Sequence, residues 1–421
     1  MPHSSRERAI LVGVSPKGSP RAVAEDHLDE LQRLVDTAGG EAAARFVKER
    51  AAPDPATFIG KGAAAEVGEA ARREGARLVV FDDELSARQA RNLEEQWGEK
   101  VRVIDRPGLI LDVFALHARS REARTQVELA QLQYLLPRLA GRYAHLSRLG
   151  GGIGGRGAGE QKLELDRRRI RDRIARLRRD LEGIETARLV RRRGRRRHLQ
   201  VAIAGYTNAG KTTLFNRLTR DNAYAADRLF ATLDARAARA ASSKLSDVIF
   251  VDTVGLVRKL PASLIASFRS TLAEIRDADL VLHVIDASSP RAEEEERVAV
   301  ETFAEIGVSS ERVLPVWNKT DLTANAGRPS GLGVSAGTGA GIARLESEVL
   351  RRLHPQTTEF QVRIPYLSAR AIATARSRFR VLDEQDRGDA LVMRLSGERK
   401  NLQPLLRFLE RERVRETASK N

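Results

Sequence analysis

Val201-Ala-Ile-Ala-Gly-Tyr-Thr-Asn-Ala-Gly-Lys-Thr-Thr213 carries a short apolar run into Gly205-x4-Gly210-Lys211-Thr212. Phosphate binding demands this order. A buried strand delivers a loop whose glycines let backbone N–H groups curl around an anion, and the helix that follows points its positive end at it. The stretch reads as a P-loop. Gly205, Tyr206, Thr207, Asn208, Ala209, Gly210, Lys211, Thr212 and Thr213 are the expected contacts, with Lys211 reaching the β- and γ-phosphates and the Thr212 hydroxyl on Mg²⁺.

Downstream, small signals follow in the order that one kind of domain requires. Leu229-Phe-Ala-Thr-Leu-Asp234 offers Phe230, Ala231 and Thr232 to the nucleotide, with the Thr232 hydroxyl available to the metal. Asp247-Val-Ile-Phe-Val251 predicts a buried strand that ends in Asp252-Thr253-Val254-Gly255. A carboxylate there can hold Mg²⁺, and Gly255 can turn its N–H to a γ-phosphate. Lys211, Thr232 and Gly255 are therefore the catalytic candidates, and Thr212, Thr232 and Asp252 the metal ligands. Leu280-Val-Leu-His-Val-Ile285 is the next strand, and His283 inside it reads as a packed core residue. Val313-Leu-Pro-Val-Trp317 delivers Asn318-Lys319-Thr320-Asp321, whose aspartate can accept both N1–H and the exocyclic amine of guanine, a donor pair that adenine lacks. Ser335 and Ala336 follow as a loop placed to help hold the guanine oxygen. The expected ligand is GTP or GDP.

Upstream, residues 1–110 alternate strand-like and helix-like patterns: Ala9-Ile-Leu-Val-Gly-Val14, helical spacing at Leu28, Leu31, Leu34 and Val35, a helix near Gly62–Glu74, Leu78-Val-Val-Phe81, a helix near Ser86–Gln96, and Val101-Arg-Val-Ile104. Such alternation predicts a small, largely parallel α/β domain. Phe58-Ile-Gly-Lys-Gly62 lacks the rest of any phosphate motif and reads as a strand-to-helix turn. From Leu109 the texture becomes long helix. Val113, Leu116, Ala123, Val127, Ala130 and Tyr134 fall near a 3-4 spacing until Pro137, and Ile170, Ile174, Leu177, Leu181 and Ile184 repeat as a heptad seam. Two such seams predict a helical hairpin over 111–197. Its tip is Gly-rich, with seven glycines in positions 150–159, and carries Arg148, Arg156, Arg167 and Arg168. Such a loop can approach a phosphate backbone closely.

Composition bounds the rest. A chain of 421 residues with 42% hydrophobic and 31% charged residues is expected to fold into two to four globular domains. No run approaches the roughly 18 apolar residues of a membrane span, and the first residues lack the apolar core of a signal peptide. A cytoplasmic address is expected, in part peripheral to a membrane. The absence of cysteine excludes disulfides, thiolate metal sites and cysteine nucleophiles. The formal charge is +16, and residues 156–197 alone, with 17 Lys or Arg against 7 Asp or Glu, supply +10 of it. A polyanionic partner is expected, nucleic acid before membrane, with plain surface basicity of an arginine-rich chain as the alternative.

Together these stretches resemble the HflX-type GTPases, a family of translation-associated G proteins. The resemblance rests on Gly205-Tyr-Thr-Asn-Ala-Gly-Lys211, Phe230-Ala-Thr-Leu-Asp234, Asp252-Thr-Val-Gly255 with Leu260-Pro261, Leu109-Ile-Leu-Asp-Val-Phe114, Gln126-Val-Glu-Leu-Ala-Gln-Leu-Gln-Tyr-Leu-Leu-Pro-Arg-Leu139 and the Gly-rich loop through Asp166-Arg167-Arg168. It implies binding to the large ribosomal subunit and its RNA, nucleotide-dependent splitting or rescue of ribosomes, and a monomer off the ribosome. Similar GTPases with Asn at the position of Asn208 often use K⁺ there. The expected architecture is a P-loop GTPase domain (198–354), preceded by a small α/β domain (1–110) and a long helical hairpin (111–197), and followed by a small α+β appendage (355–421). Where the family usually carries Thr, this chain has Pro107 and Gly155; for Pro it has Ala158, for Pro-Thr-Thr it has Ala235-Arg-Ala-Ala, and for Phe it has Leu256. Many GTPases place a water-orienting glutamine where Leu256 stands, so slow unassisted hydrolysis is expected. A GTPase acting on tRNA or another RNA, and a GTP-regulated module that does not turn over, remain open.

Overall fold

A computed structural model describes residues 6–98, 100–139, 158–194, 198–221, 229–230, 234–259, 269–323, 331–354, 357–366 and 368–398. The first body runs β1 (Glu7–Pro16), α1 (Arg21–Thr37), β2 (Gly40–Arg50), α2 (Lys61–Arg73), β3 (Leu78–Phe81), α3 (Ala87–Trp97) and β4 (Arg102–Asp105). Its strands pair in parallel in the order β2-β1-β3-β4. Helices cover both faces. Ile10, Val12, Val79 and Phe81 meet α2 and α3 on one side, while Ala9, Leu11 and Val80 share a cluster with Leu28, Leu31 and Leu34 of α1 on the other. A parallel sheet buried on both faces explains why its central strands read as unbroken apolar runs. The edge strand β2, Gly-Glu-Ala-Ala-Ala-Arg-Phe-Val-Lys-Glu-Arg, has no such run and escaped the pattern.

The long-helix stretch is two helices. α4 (Arg106–His117) starts with Pro107 in its first turn, where a missing N–H costs nothing, and α5 (Arg121–Leu135) is capped by Ser120. The break between them resets the helical phase. Val113, Ala123, Val127 and Ala130 are buried, but Leu116 is 64% exposed, which corrects its assignment to the apolar stripe. α6 (Ala158–Gly194) packs on α5 through Ile174 and Leu177 against Leu129, flanked by Ile170, Leu181, Leu132 and Leu136, so the heptad seam is the contact. Most of the Gly-rich tip, including Arg148 and Arg156, lies outside the described residues.

The third body contains β5 (Leu199–Gly205), α7 (Lys211–Thr219), β6 (Arg236–Arg239), β7 (Val248–Asp252), α8 (Arg269–Arg276), β8 (Leu280–Asp286), α9 (Ala292–Glu305), β9 (Val313–Asn318), β10 (Leu332–Gly333) and α10 (Ile342–Leu353). The sheet order is β10-β9-β8-β5-β7-β6, parallel except for β6. The P-loop, the Asp252 loop and the Asn318 loop all leave the carboxyl ends of β5, β7 and β9, where open α/β sheets bind ligands. The chain then forms an antiparallel sheet β11-β13-β12 (Thr357–Pro365, Ala390–Glu398, Arg380–Asp386) with helix α11 (Ala369–Arg378) against it, an α+β unit with its own small core.

A single buried apolar cluster crosses from the first body to the third. Leu109, Ile110, Val113 and Phe114 of α4 belong to it together with Leu229, Phe230, Val254, Leu256 and Val257. The loops that flank the phosphate site thus complete the core of the N-terminal body.

Candidate functional site

The P-loop forms where the sequence puts it. Gly210 has φ +87°, and a Cβ there would collide with the Asn318 amide nitrogen, so only glycine fits both the turn and the approach. Lys211 opens α7 and donates from Nζ to the Tyr206 carbonyl at 2.7 Å. Its burial pulls its pKa down to about 8, which Asp252 opposes and Lys319 reinforces. The Thr212 hydroxyl donates to Asp252 Oδ2 at 2.8 Å, bringing two of the expected Mg²⁺ ligands together. Among the described residues no group of three His, Cys, Asp or Glu could hold a metal by itself. One hydroxyl and one carboxylate instead fit a Mg²⁺ that keeps waters and takes its other ligands from a nucleotide's phosphates.

The residues expected to read guanine are tied to the P-loop through Asn318. Its amide donates to the Ala209 carbonyl at 2.8 Å, and its Oδ1 accepts the Ala336 N–H at 2.9 Å. Lys319 pairs with Asp286 at 2.6 Å, Thr320 donates to the Val334 carbonyl at 3.0 Å, and buried Ser335 shapes the loop through Thr338 N–H at 3.1 Å. Asp321 stands exposed at the end of this turn, its carboxylate available to a base.

Other expected contacts would have only their backbone to offer. Ala209, Thr253 and Val254 are buried, Thr253 donating to the Ile203 carbonyl at 2.8 Å. Phe230 turns its ring edge-on to Phe114 of α4 at 4.5 Å, so its side chain belongs to the core. Asn208 is exposed at the P-loop tip with φ +63°. Ala231 and Thr232 lie outside the described residues. His283 is buried, its ring edge-on to Phe303 at 5.2 Å, and burial, with Lys211 nearby, pulls its pKa to about 4, so it stays neutral.

The Asp252 loop folds back on the P-loop. Leu256 donates to the Gly205 carbonyl at 3.0 Å and accepts the Thr207 N–H at 2.8 Å, a parallel bridge beside Tyr206. Gly255 is pressed between: a Cβ on it would lie 2.6 Å from Thr207 Cγ2 and 3.1 Å from Lys211 Nζ.

Around this loop lies a buried polar cluster that the sequence reading missed. Arg106, only 1% exposed, donates to Asp82 Oδ1 at 2.9 Å, to Glu30 at 3.3 Å and to the Arg258 carbonyl at 3.5 Å. Burial opposes its charge, but Asp82 and Glu30 outweigh that and hold its pKa above the ordinary value. Burial likewise opposes the charge of Asp82, yet Arg106 and Lys259 keep its carboxyl below the usual range. Lys259 pairs with Asp82 and Asp83, and Arg258 lies 3.5 Å from Glu30 and 3.2 Å from Glu294. The only sequence signal was charge at the threshold of apolar stretches, Arg106 before Leu109 and Arg258-Lys259 after Val257.

Three family descriptions match in register with these bodies: GTP-binding GTPase N-terminal over 25–115, GTP-binding GTPase Middle Region over 117–195, and 50S ribosome-binding GTPase over 200–319. The chain is 43% identical over 383 residues to the GTPase HflX of Caldanaerobacter subterraneus, covering 90% of this chain and 88% of that one. The chain belongs to the HflX family of GTPases. The Escherichia coli GTPase HflX is 42% identical over 368 residues, with 84% of each chain covered. A GTP-binding protein from Sulfolobus solfataricus in complex with GDP aligns at TM-score 0.44 and 22% identity, over 82% of this chain and 98% of that one. As an HflX-family enzyme the chain binds GTP and hydrolyses it to GDP and phosphate. No helix among the described residues is long and apolar enough to cross a membrane.

Proposed function

We propose that this GTPase acts on the ribosome, binding the large subunit and its RNA and splitting or rescuing ribosomes in a nucleotide-dependent way. The observation that carries the reading is the exposed face of α6, where Arg168, Arg169, Arg171, Arg176, Arg178 and Arg179 stand in solvent and Arg167 beside them is half-buried. A long helix paved with guanidinium groups suits a phosphate backbone, and its affinity would fall steeply with salt. The description of the matched GTPase family as 50S ribosome-binding supports the same partner.

At the site, Lys211, Thr232 and Gly255 would face the γ-phosphate, and Thr212, Thr232 and Asp252 would hold a Mg²⁺ that would offset the negative charge of the phosphates. Asn208 would help place K⁺ near the phosphates. Leu256 is buried in the core shared with Val254 and Val257 and carries no group that could orient water. Hydrolysis by the isolated protein is therefore expected within one or two orders of magnitude of roughly 10⁻⁴ s⁻¹, rising with K⁺ and large subunits. Fast turnover in Na⁺ alone would contradict this.

Sedimentation with purified large subunits, in a non-hydrolysable GTP analogue or GDP, tests the partner. The expected result is co-sedimentation that the analogue strengthens and salt weakens. Binding to tRNA without binding to subunits would transfer the reading to another RNA.

A further inference from the structure

We infer that Glu30, on the first helix of the N-terminal body, is a positioning residue of the GTPase site, acting through Tyr206 on the loop that meets the γ-phosphate. Tyr206 occupies a P-loop position where phosphate binding itself asks for no particular side chain. Here it is a phenol, only 6% exposed, aimed out of the loop into the polar cluster. Its hydroxyl lies 2.9 and 2.8 Å from the two oxygens of Glu30, itself 4% exposed, and accepts the Arg258 N–H at 2.8 Å. One donor and one acceptor are thus both engaged, across 176 and 52 residues of chain. Burial, with the Glu30 charge beside it, raises the phenol's pKa well above its ordinary value, so it remains the donor.

The backbone of the same residue meets the reacting end. The Tyr206 carbonyl accepts Lys211 Nζ, and the bridge to Leu256 pins the next turn of the Gly255 loop. Gly255 lies within one residue of this bridge and against Lys211. The Arg258 guanidinium, by contrast, makes no hydrogen bond among the described residues and is held by the charges of Glu30 and Glu294. Beyond the Leu256 bridge, the directional ties at Arg258 are its N–H on the Tyr206 hydroxyl at 2.8 Å and its carbonyl, which accepts from Arg106 at 3.5 Å. Glu30 is in turn fixed by Arg106. Released from Glu30, Tyr206 would no longer hold Leu256–Arg258 in register. Gly255 would then have to be ordered at the moment a γ-phosphate binds, which weakens GTP while leaving GDP alone.

The test uses full-length Tyr206→Phe, Glu30→Gln and the double variant, with Glu30→Asp as the conservative rescue. The readouts are the affinities for GDP and a non-hydrolysable GTP analogue, and single-turnover GTP hydrolysis. We expect GDP affinity within about twofold of the unsubstituted chain, and GTP-analogue affinity relative to GDP lower by about tenfold, the size expected for losing a hydrogen bond to a charged group. Hydrolysis should slow by a similar factor, the double variant should be no worse than either single one, and Glu30→Asp should retain part of what Glu30→Gln loses. Should Glu30→Gln fail to fold, Tyr206→Phe decides, because it removes one oxygen and keeps the buried ring. An unchanged analogue-to-GDP ratio, or equal weakening of both nucleotides with a lowered Tm, would overturn the inference and leave Glu30 as interdomain packing. The inference rests on GTP hydrolysis and not on the ribosome reading; subunit sedimentation, measured separately, is unaffected by its failure.

Discussion

At the guanine end of the site, Asn318 reaches Ala209 and Ala336 without leaving the GTPase domain, whereas at the phosphate end Tyr206 reaches Glu30 in the N-terminal body. The first set of contacts is neutral amide to backbone and local to one sheet. The second is a largely buried array of charges across two bodies, in which Arg106 and Lys259 pair with Asp82, Arg106 also pairs with Glu30, and Arg258 lies beside Glu30 by charge alone. On the proposed nucleotide contacts, base selection is intrinsic to the GTPase domain, while the sensing of the γ-phosphate is shared with the N-terminal body. A second contact repeats the pattern on the other flank of the site. Asp234 accepts the backbone N–H groups of Arg119 at 3.0 Å and Ser120 at 2.9 Å, at the start of α5.

The contrast can be broken most severely at Arg106. Arg106→Met leaves Asp82 and Glu30 buried with too little positive charge, and loses roughly 3–5 kcal/mol of stability in urea unfolding. An effect below about 1 kcal/mol would show that the array is replaceable packing. The guanine end is next. Asp321→Ala removes an acceptor for two guanine donors, and GDP affinity should drop about 10²- to 10³-fold, with the GTP-analogue-to-GDP ratio unchanged. If that ratio moves as well, the two ends are not separable.

Lys211 gives a pH signature confined to the phosphate end. In the free protein its pKa is lowered to about 8, because burial disfavours the charged form. Phosphates favour the charged form, so binding restores the proton. At about pH 8.5, calorimetry of GDP binding in buffers of different ionisation enthalpy should report uptake of about three quarters of a proton, falling toward zero below about pH 7. For folding the sign is the opposite of a paired lysine. The unfolded chain holds this proton up to its ordinary pKa of about 10.5, so the Lys211 contribution to stability rises with pH between about 8 and 10.5. The smallest effect is at Asp234. Its replacement by Ala should cost about 1 kcal/mol, the size of a lost cap, and an effect indistinguishable from zero would confine the coupling to Tyr206 and its neighbours.

The sequence made the guanine end legible because its chemistry is local: Asn318 and Asp321 open and close one four-residue turn, and Gly210-Lys211-Thr212 are adjacent. The Ile170–Leu181 seam was legible for the same reason, as was the buried β1 run. What stayed hidden was long-range or against type. Charged residues are read as solvent-exposed, yet Arg106 is fully buried, and its partners lie 24, 76 and 152 residues away. The end of α4 was hidden because apolar spacing continued through it. The signal was Ser120, an N-cap residue, and it gains its force from Asp234, 114 residues downstream. Tyr206 was counted as a nucleotide contact from its place in the motif, while its hydroxyl faces the other domain.

Amide hydrogen exchange compares the two ends in a single experiment. Full-length protein is examined with GDP and with a non-hydrolysable GTP analogue, following peptides from α1 around Glu30, from the β3–α3 connection at Asp82 and Asp83, and from β9 through Asp321. Shared γ-phosphate sensing predicts that exchange in α1 and around Asp82 differs between the two nucleotides, while exchange from Val313 to Asp321 is the same in both. Identical exchange in the N-terminal body with either nucleotide would contradict it.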